Sequence, residues 1–154
     1  MTTNATKVAL VSSVGGHLTE LLALRAAYED LPHFYVFNDQ TQFTPPDGIA
    51  VYTVAHAERD ARVLWNVLEF ARIFQREKPT VMLSMGAGPA VPAALVARAM
   101  GIRVVYVETV AATEKPTLTG RLMQPLADAF FVQWPSLLAK VKGSRHCGSI
   151  FGSS

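Results

Sequence analysis

Two glycines and a histidine, Gly15-Gly16-His17, close a short apolar run and open a helical pattern. Adjacent glycines let the backbone turn sharply and expose its N–H groups at a helix start, an arrangement that favours phosphate or another anion. Ser13 stands just ahead of them. A plain strand-to-helix turn explains the same glycines. His17 is placed either to take a proton from a substrate hydroxyl, as a neutral imidazole can, or to cap and pack. A second small, donor-rich stretch, Ser84-Met85-Gly86-Ala87-Gly88, has a similar form. Its Ser84, Gly86 and Gly88 would hold a second phosphate or let a helix pack closely on a sheet. Glu108 ends another apolar run, which is an expensive place for a carboxylate without a partner. It is available to orient His17, to bind sugar hydroxyls, to act as a base itself, or to cap the loop or helix that follows.

Neither glycine stretch is a dinucleotide fingerprint or a P-loop, since G-x-G-x-x-G and G-x-x-x-x-G-K-[ST] are both missing. No G-x-S-x-G elbow occurs around Ser12 and Ser13. His17, His33, His56 and His146 are scattered, and none has ligand-like spacing with Cys147, so no metal is expected.

The elements that must position these residues follow from periodicity. Short apolar runs without polar alternation predict strands buried on both faces at 7–13, 34–37, 49–54, 80–84, 103–107 and 128–133. Apolar residues at helical spacing predict helices over 17–28, 61–77 and 90–100, with a short helical stretch before the sixth strand and helical turns at 136–141. Pro89 suits the first turn of its helix and Gly101 its end. Residues 38–48 and 108–119 read as loops, and 147–151 as an edge strand. Strands and helices alternate almost throughout, which implies a doubly wound, Rossmann-like α/β domain with a parallel sheet. In such a sheet ligands bind beyond the carboxyl ends of the strands, where the glycine loops and Glu108 would all lie.

The composition narrows the class. The chain has 154 residues, half of them hydrophobic and 17% charged, with a net charge of +2. That is one domain with a real core, expected over 1–151 with a frayed tail at 152–154. The balanced charge does not suit nucleic acid. A single cysteine fits a reducing cytoplasm. The polar start, Met1 to Thr6, does not read as a signal peptide, and no run is long and apolar enough to span a membrane. Trp65, Phe70 and several arginines on the 61–77 helix fit either an anionic membrane surface or an ordinary amphipathic helix.

Taken together, these blocks resemble a family. Ser13-Val14-Gly15-Gly16-His17-Leu18-Thr19-Glu20-Leu21-Leu22 resembles the N-terminal motif of PssD-like bacterial exopolysaccharide glycosyltransferase subunits. Those are similar to the acceptor-side, membrane-recruited subunit of the eukaryotic two-subunit N-acetylglucosaminyltransferase that acts on dolichol-linked sugar. Ser84 to Pro92, Tyr106-Val107-Glu108-Thr109, Leu118-Thr119-Gly120-Arg121-Leu122, Phe131-Val132-Gln133-Trp134-Pro135 and the ending Gly148-Ser149-Ile150-Phe151 resemble later blocks in family order. Met85 stands where the family often has Thr, and the eukaryotic subunit's N-terminal anchor has no counterpart in the sequence.

The resemblance implies the N-terminal half of a GT-B glycosyltransferase, inverting and without a catalytic metal or other cofactor. A donor-binding partner chain would hold the UDP-sugar as co-substrate. This chain would hold a polyprenyl-diphosphate-linked acceptor, at the inner face of the plasma membrane. His17 and Glu108 then match the base and its acidic neighbour. Ser13, Gly15, Gly16, Ser84, Gly86, Gly88, Thr119 and Arg121 match an acceptor diphosphate site. Gln133, Trp134, Gly148, Ile150 and Phe151 match partner-binding positions. A non-catalytic accessory that recruits or enhances the partner is the alternative.

Overall fold

The computed structural model describes residues 5–38, 43–46, 48–55 and 62–152. Seven strands form one sheet in the order β3-β2-β1-β4-β5-β6-β7. They are β1 (Val8–Ser12), β2 (His33–Phe37), β3 (Val51–Thr53), β4 (Val81–Gly86), β5 (Arg103–Val107), β6 (Ala129–Val132) and β7 (Arg145–His146). Every neighbouring pair is parallel. Four α-helices, α1 (Gly16–Ala23), α2 (Arg62–Glu77), α3 (Ala90–Ala99) and α4 (Leu118–Met123), connect them.

The inner strands β1, β2, β4, β5 and β6 are mainly apolar because both faces are covered, whereas the edge strands β3 and β7 are partly exposed. Along β1, Ala9 and Val11 point into a core shared with Phe70 and Phe74 of α2, Ala93, Ala94 and Ala97 of α3, and Met123 of α4. Val8 and Leu10 point the other way, toward Leu21 of α1 and Tyr28 just beyond it. The doubly wound, Rossmann-like reading therefore holds. The strand order reverses between β1 and β4, so the loops leaving these two strands diverge and open a crevice at the carboxyl rim.

Several boundaries move for local reasons. The α-helical part of α1 stops at Ala23, and the chain tightens into a 3-10 turn at Arg25–Ala27. The Tyr28 hydroxyl ties that turn back by donating to the Leu21 carbonyl at 3.0 Å. Gly101 ends α3 as its spacing suggested, with φ at 72° and the Ile102 amide donating to the Ala97 carbonyl at 2.8 Å. The expected edge strand at 147–151 is a correction: the strand beside β6 is Arg145–His146, and the chain then leaves the sheet. Gly148, at φ 102°, turns it, and the Ile150 amide donates to Gln133 Oε1 at 3.1 Å instead of joining the ladder. Met1 to Asn4, the predicted helix start at Ala61, the residues His56, Glu58, Arg59 and Asp60, and the tail residues Ser153 and Ser154 lie outside the described residues. So do 39–42 and Asp47 of the 38–48 loop.

At the opposite rim, Glu77 at the end of α2 fastens two strands. Its carboxylate accepts from Lys7 Nζ at 2.6 Å, ahead of β1, and from the Tyr52 hydroxyl of β3. Burial alone would raise the Glu77 carboxyl, but these two bonds outweigh it and hold the group below its usual range. A depressed folded value means the cluster stabilises the fold above the ordinary glutamate range of about 4.3 and loses that contribution as pH falls through the folded value. Denaturant unfolding should therefore show Glu77→Gln less stable than the parent at neutral pH, with the difference shrinking as pH falls below the ordinary glutamate range.

Candidate functional site

Two helix N-termini meet at the crevice, and neither is capped by a side chain. Gly15, at φ 84° and ψ −135°, is the N-cap of α1, and Pro89 is the N-cap of α3. The first amides of α1 are thus left to solvent or ligand, whereas at α3 the Ala90 amide donates to the Ala87 carbonyl at 3.1 Å and Pro92 has no N–H, which leaves the Val91 amide; the positive ends of two dipoles lie beside them. Gly15, Gly16 and Gly88 are exposed there, as an anion site requires, while Ser13 is buried at its edge. Ser84 is fully buried, and its Oγ accepts from the Gly86 amide at 3.3 Å, so it shapes the second loop from within.

Gly86 holds a close approach. A Cβ there would stand 3.0 Å from the Tyr106 hydroxyl and 3.7 Å from His17 Cε1, and its φ of 117° suits glycine alone. Ala87 follows at φ 60°, a left-handed conformation that costs a non-glycine residue of order 1 kcal/mol. The His17 ring is therefore lodged between α1 and the end of β4. Its Nδ1 is buried and has no hydrogen-bond partner. Burial and the neighbouring Glu108 carboxylate push the Tyr106 phenol far up, so its hydroxyl remains a donor at all working pH values.

Glu108 is fully buried and faces the fold, not the crevice. Its Oε1 accepts from the Thr109 amide at 3.1 Å, Thr117 Oγ1 at 2.9 Å and the Tyr106 hydroxyl at 3.4 Å. Its Oε2 accepts from the Thr117 amide at 3.1 Å and from Thr117 Oγ1 at 3.2 Å. Thr117 is in turn the N-cap of α4, its Oγ1 accepting from the Gly120 amide at 2.9 Å. Of the readings open to Glu108, this geometry matches the one in which it caps the following loop and helix.

A carboxylate that sequence reasoning did not single out reaches the crevice wall instead. Glu20, one turn after His17 on α1, is 5% exposed. Its Oε1 accepts from Thr109 Oγ1 at 2.7 Å and the Val110 amide at 3.2 Å, linking α1 to the β5–α4 loop, and its Oε2 has no partner. The signal available in the sequence was a carboxylate set among the leucines of the helix that His17 opens.

Thr119 and Arg121 lie on α4, away from the glycine loops in sequence. Arg121 lines a cavity of about 500 Å³ walled by residues 111–118. Gln133 is 3% exposed and so is no surface contact. Its Nε2 donates to the Glu108 carbonyl at 3.0 Å while its Oε1 takes the Ile150 amide. Trp134 is exposed along part of its ring and donates to the Val110 carbonyl at 2.6 Å. Gly148 and Ile150 border a groove of about 450 Å³ over β4, β5 and β6, lined by Val8, Leu83, Val105 and Phe131. Phe151 stands exposed beyond them. Among the described residues, α1 and its 3-10 extension are the only helical segments packed on this face, which leaves the groove open.

Comparison with known proteins agrees with this frame. Residues 54–150 match the family described as "Oligosaccharide biosynthesis protein Alg14 like". The mouse protein named UDP-N-acetylglucosamine transferase subunit ALG14 is 27% identical over 179 residues, covering 94% of this chain and 82% of its own. The human protein of the same name is 27% identical over 178 residues, covering 93% and 82%. Among solved structures, MurG of Acinetobacter baumannii superposes with a TM-score of 0.72 at 16% identity, covering 94% of this chain and 45% of that one. UDP-N-acetylglucosamine 2-epimerase of Rickettsia bellii does so at 0.73 and 15%, covering 96% and 46%. The structures share the fold, and this chain spans under half of their length.

The tightest steric constraint at the rim is Gly120, where a Cβ would fall 1.9 Å from Glu108 Oε2. Gly120→Ala must displace the buried carboxylate, and overpacking of this kind costs about 1–3 kcal/mol. Thermal unfolding should show Tm lower by roughly 3–10 °C at this chain length.

Proposed function

The chain belongs to the Alg14-like family of oligosaccharide-biosynthesis proteins, and from that membership and the crevice at the switch point we propose that it is the acceptor-side subunit of a two-chain, inverting glycosyltransferase. The acceptor is a polyprenyl-diphosphate-linked saccharide and the donor a UDP-sugar, in the assembly of an exopolysaccharide or capsule. The observation that carries the proposal is His17, held with a partnerless Nδ1 beside two uncapped helix N-termini.

The amides of Gly16 and His17 at α1, with the Val91 amide and the dipole of α3, bind the acceptor diphosphate. The acceptor sugar's hydroxyl oxygen attacks the anomeric carbon, and its proton passes to the His17 imidazole. The bond from the anomeric carbon to the UDP oxygen breaks as the new one forms, which inverts the configuration. UDP leaves on the partner chain, because a single α/β domain supplies only one wall of the cleft. The named relatives are subunits of a UDP-N-acetylglucosamine transferase, so UDP-N-acetylglucosamine heads the donors to try.

The open apolar groove beside Gly148, Ile150 and Phe151 supports docking of the donor-binding chain. Leu64, Trp65 and Leu68, exposed on α2, with Leu118 and Leu122 on α4 and Arg121 between them, support peripheral contact with the inner face of the plasma membrane. No helix among the described residues is long and apolar enough to cross a membrane.

Transfer of labelled sugar from a panel of UDP-sugars to polyprenyl-diphosphate-linked acceptor tests the proposal. Turnover is expected with both chains together and with neither alone, and His17→Ala should lower it roughly 100-fold or more while the pair still co-purifies. Activity of the partner alone would reduce this chain to an accessory, and activity of this chain alone would overturn the two-chain reading.

A further inference from the structure

Glu20 keeps an ionisable side chain where a neutral one would serve the same visible contacts. Both of its hydrogen bonds, from Thr109 Oγ1 and the Val110 amide, fall on Oε1. A glutamine carbonyl would accept both, and would avoid the cost of burying a charge. The carboxylate is nevertheless 5% exposed, and its Oε2 is buried with no partner. Holding α1 to the β5–α4 loop therefore accounts for half of this side chain.

The other half has a candidate partner on the same helix. His17 lies three residues earlier, on the same helical face, and side chains in a helix lean toward its N-terminus. The Glu20 carboxylate thus projects over the turn that His17 begins. His17 Nδ1 is also buried without a partner. Gly86 lies against the ring, and the Tyr106 hydroxyl on the other side of Gly86 is directed to Glu108. A partnerless buried acceptor and a partnerless buried ring nitrogen, one helical turn apart, complement each other in chemistry, and in this structure they are not bonded to one another.

We propose that Glu20 is the positioning residue for His17: a side-chain rotation brings its Oε2 to accept the Nδ1–H bond, which fixes the tautomer in which Nε2 is free to take a proton. The inference rests on the glycosyl-transfer reading for its purpose but not for its geometry. During transfer the acceptor hydroxyl proton moves to Nε2, the ring becomes an imidazolium, and the Glu20 carboxylate faces the new charge. The proton later leaves from Nε2 to solvent, which returns the pair to its starting state.

Glu20→Gln separates this role from the latch. Its carbonyl oxygen keeps the bonds from Thr109 and Val110, but its NH2 group now faces Nδ1 as a donor and favours the opposite tautomer. The full chain, labelled with 15N-histidine and observed by NMR above the pH at which the imidazole titrates, should show the His17 proton on Nδ1. In Glu20→Gln it should move to Nε2. Thr109→Val, which removes one latch bond and leaves the carboxylate, should keep it on Nδ1. In the two-chain assay kcat of Glu20→Gln should fall roughly 100-fold, with acceptor KM changed less than about threefold. A parent protein with the proton on Nε2, or a Glu20→Gln variant with an unchanged tautomer, overturns the proposal. Because the tautomer is read on this chain alone, that failure is distinct from a failure of the two-chain function, which the transfer assay reports.

Discussion

A carboxylate without access to water, Glu108, joins the parts of the carboxyl rim. Burying such a charge costs several kcal/mol unless it is fully hydrogen-bonded. Here bonds from Thr109, Thr117 and Tyr106 answer it, each to a charged acceptor and so worth about 1.5–3 kcal/mol. The consequence is geometric. The loop from 109 to 117 must return to its own starting point, α4 must begin at Thr117, and position 120 must lack a Cβ. The Glu108 carbonyl extends the same constraint through Gln133 to the Ile150 amide. The C-terminal segment and the wall of the crevice thus belong to one hydrogen-bonded unit.

That unit leaves two surfaces unfilled, on different parts of the molecule. One is the polar crevice between the loops after β1 and β4, where glycines bring the backbone close and α1 presents its free first amides beside the positive end of α3. The other is the apolar groove over β4, β5 and β6, on the face that carries only α1 and its extension. In the proposed function the first would hold the acceptor and the second would seat a second chain, so that two polypeptides share the work of a two-domain cleft. The chain shares its fold with under half the length of the solved structures it superposes on.

Most of the fold was legible because the inner strands are short, mainly apolar runs and the longer helices keep their period. The glycine loops and His17 were legible for the same reason, as breaks at strand ends. What the sequence hid were the pairings across the rim. Glu20 and Glu108 look alike as lone carboxylates near apolar residues, and only the return of the 109–117 loop decides that Glu108 is enclosed while Glu20 touches the crevice wall. The resemblance places Gln133 among partner-binding positions, and nothing local in the sequence shows that it bridges Glu108 and Ile150. The C-terminal strand was misplaced by a few residues, because Gly148 and the bond from Ile150 to Gln133 draw the chain away from the ladder.

The central claim is that the crevice between the β1 and β4 loops is an acceptor site. Its most direct test is an amide-resolved NMR titration of this chain with a short-chain, water-soluble isoprenyl diphosphate sugar and, separately, with UDP-N-acetylglucosamine. The account predicts that the lipid analogue shifts the amides of 13–20 and 86–90 while the nucleotide sugar leaves them in place. Binding of UDP-N-acetylglucosamine to those loops in the absence of any partner, with no response to the isoprenyl diphosphate, would contradict it.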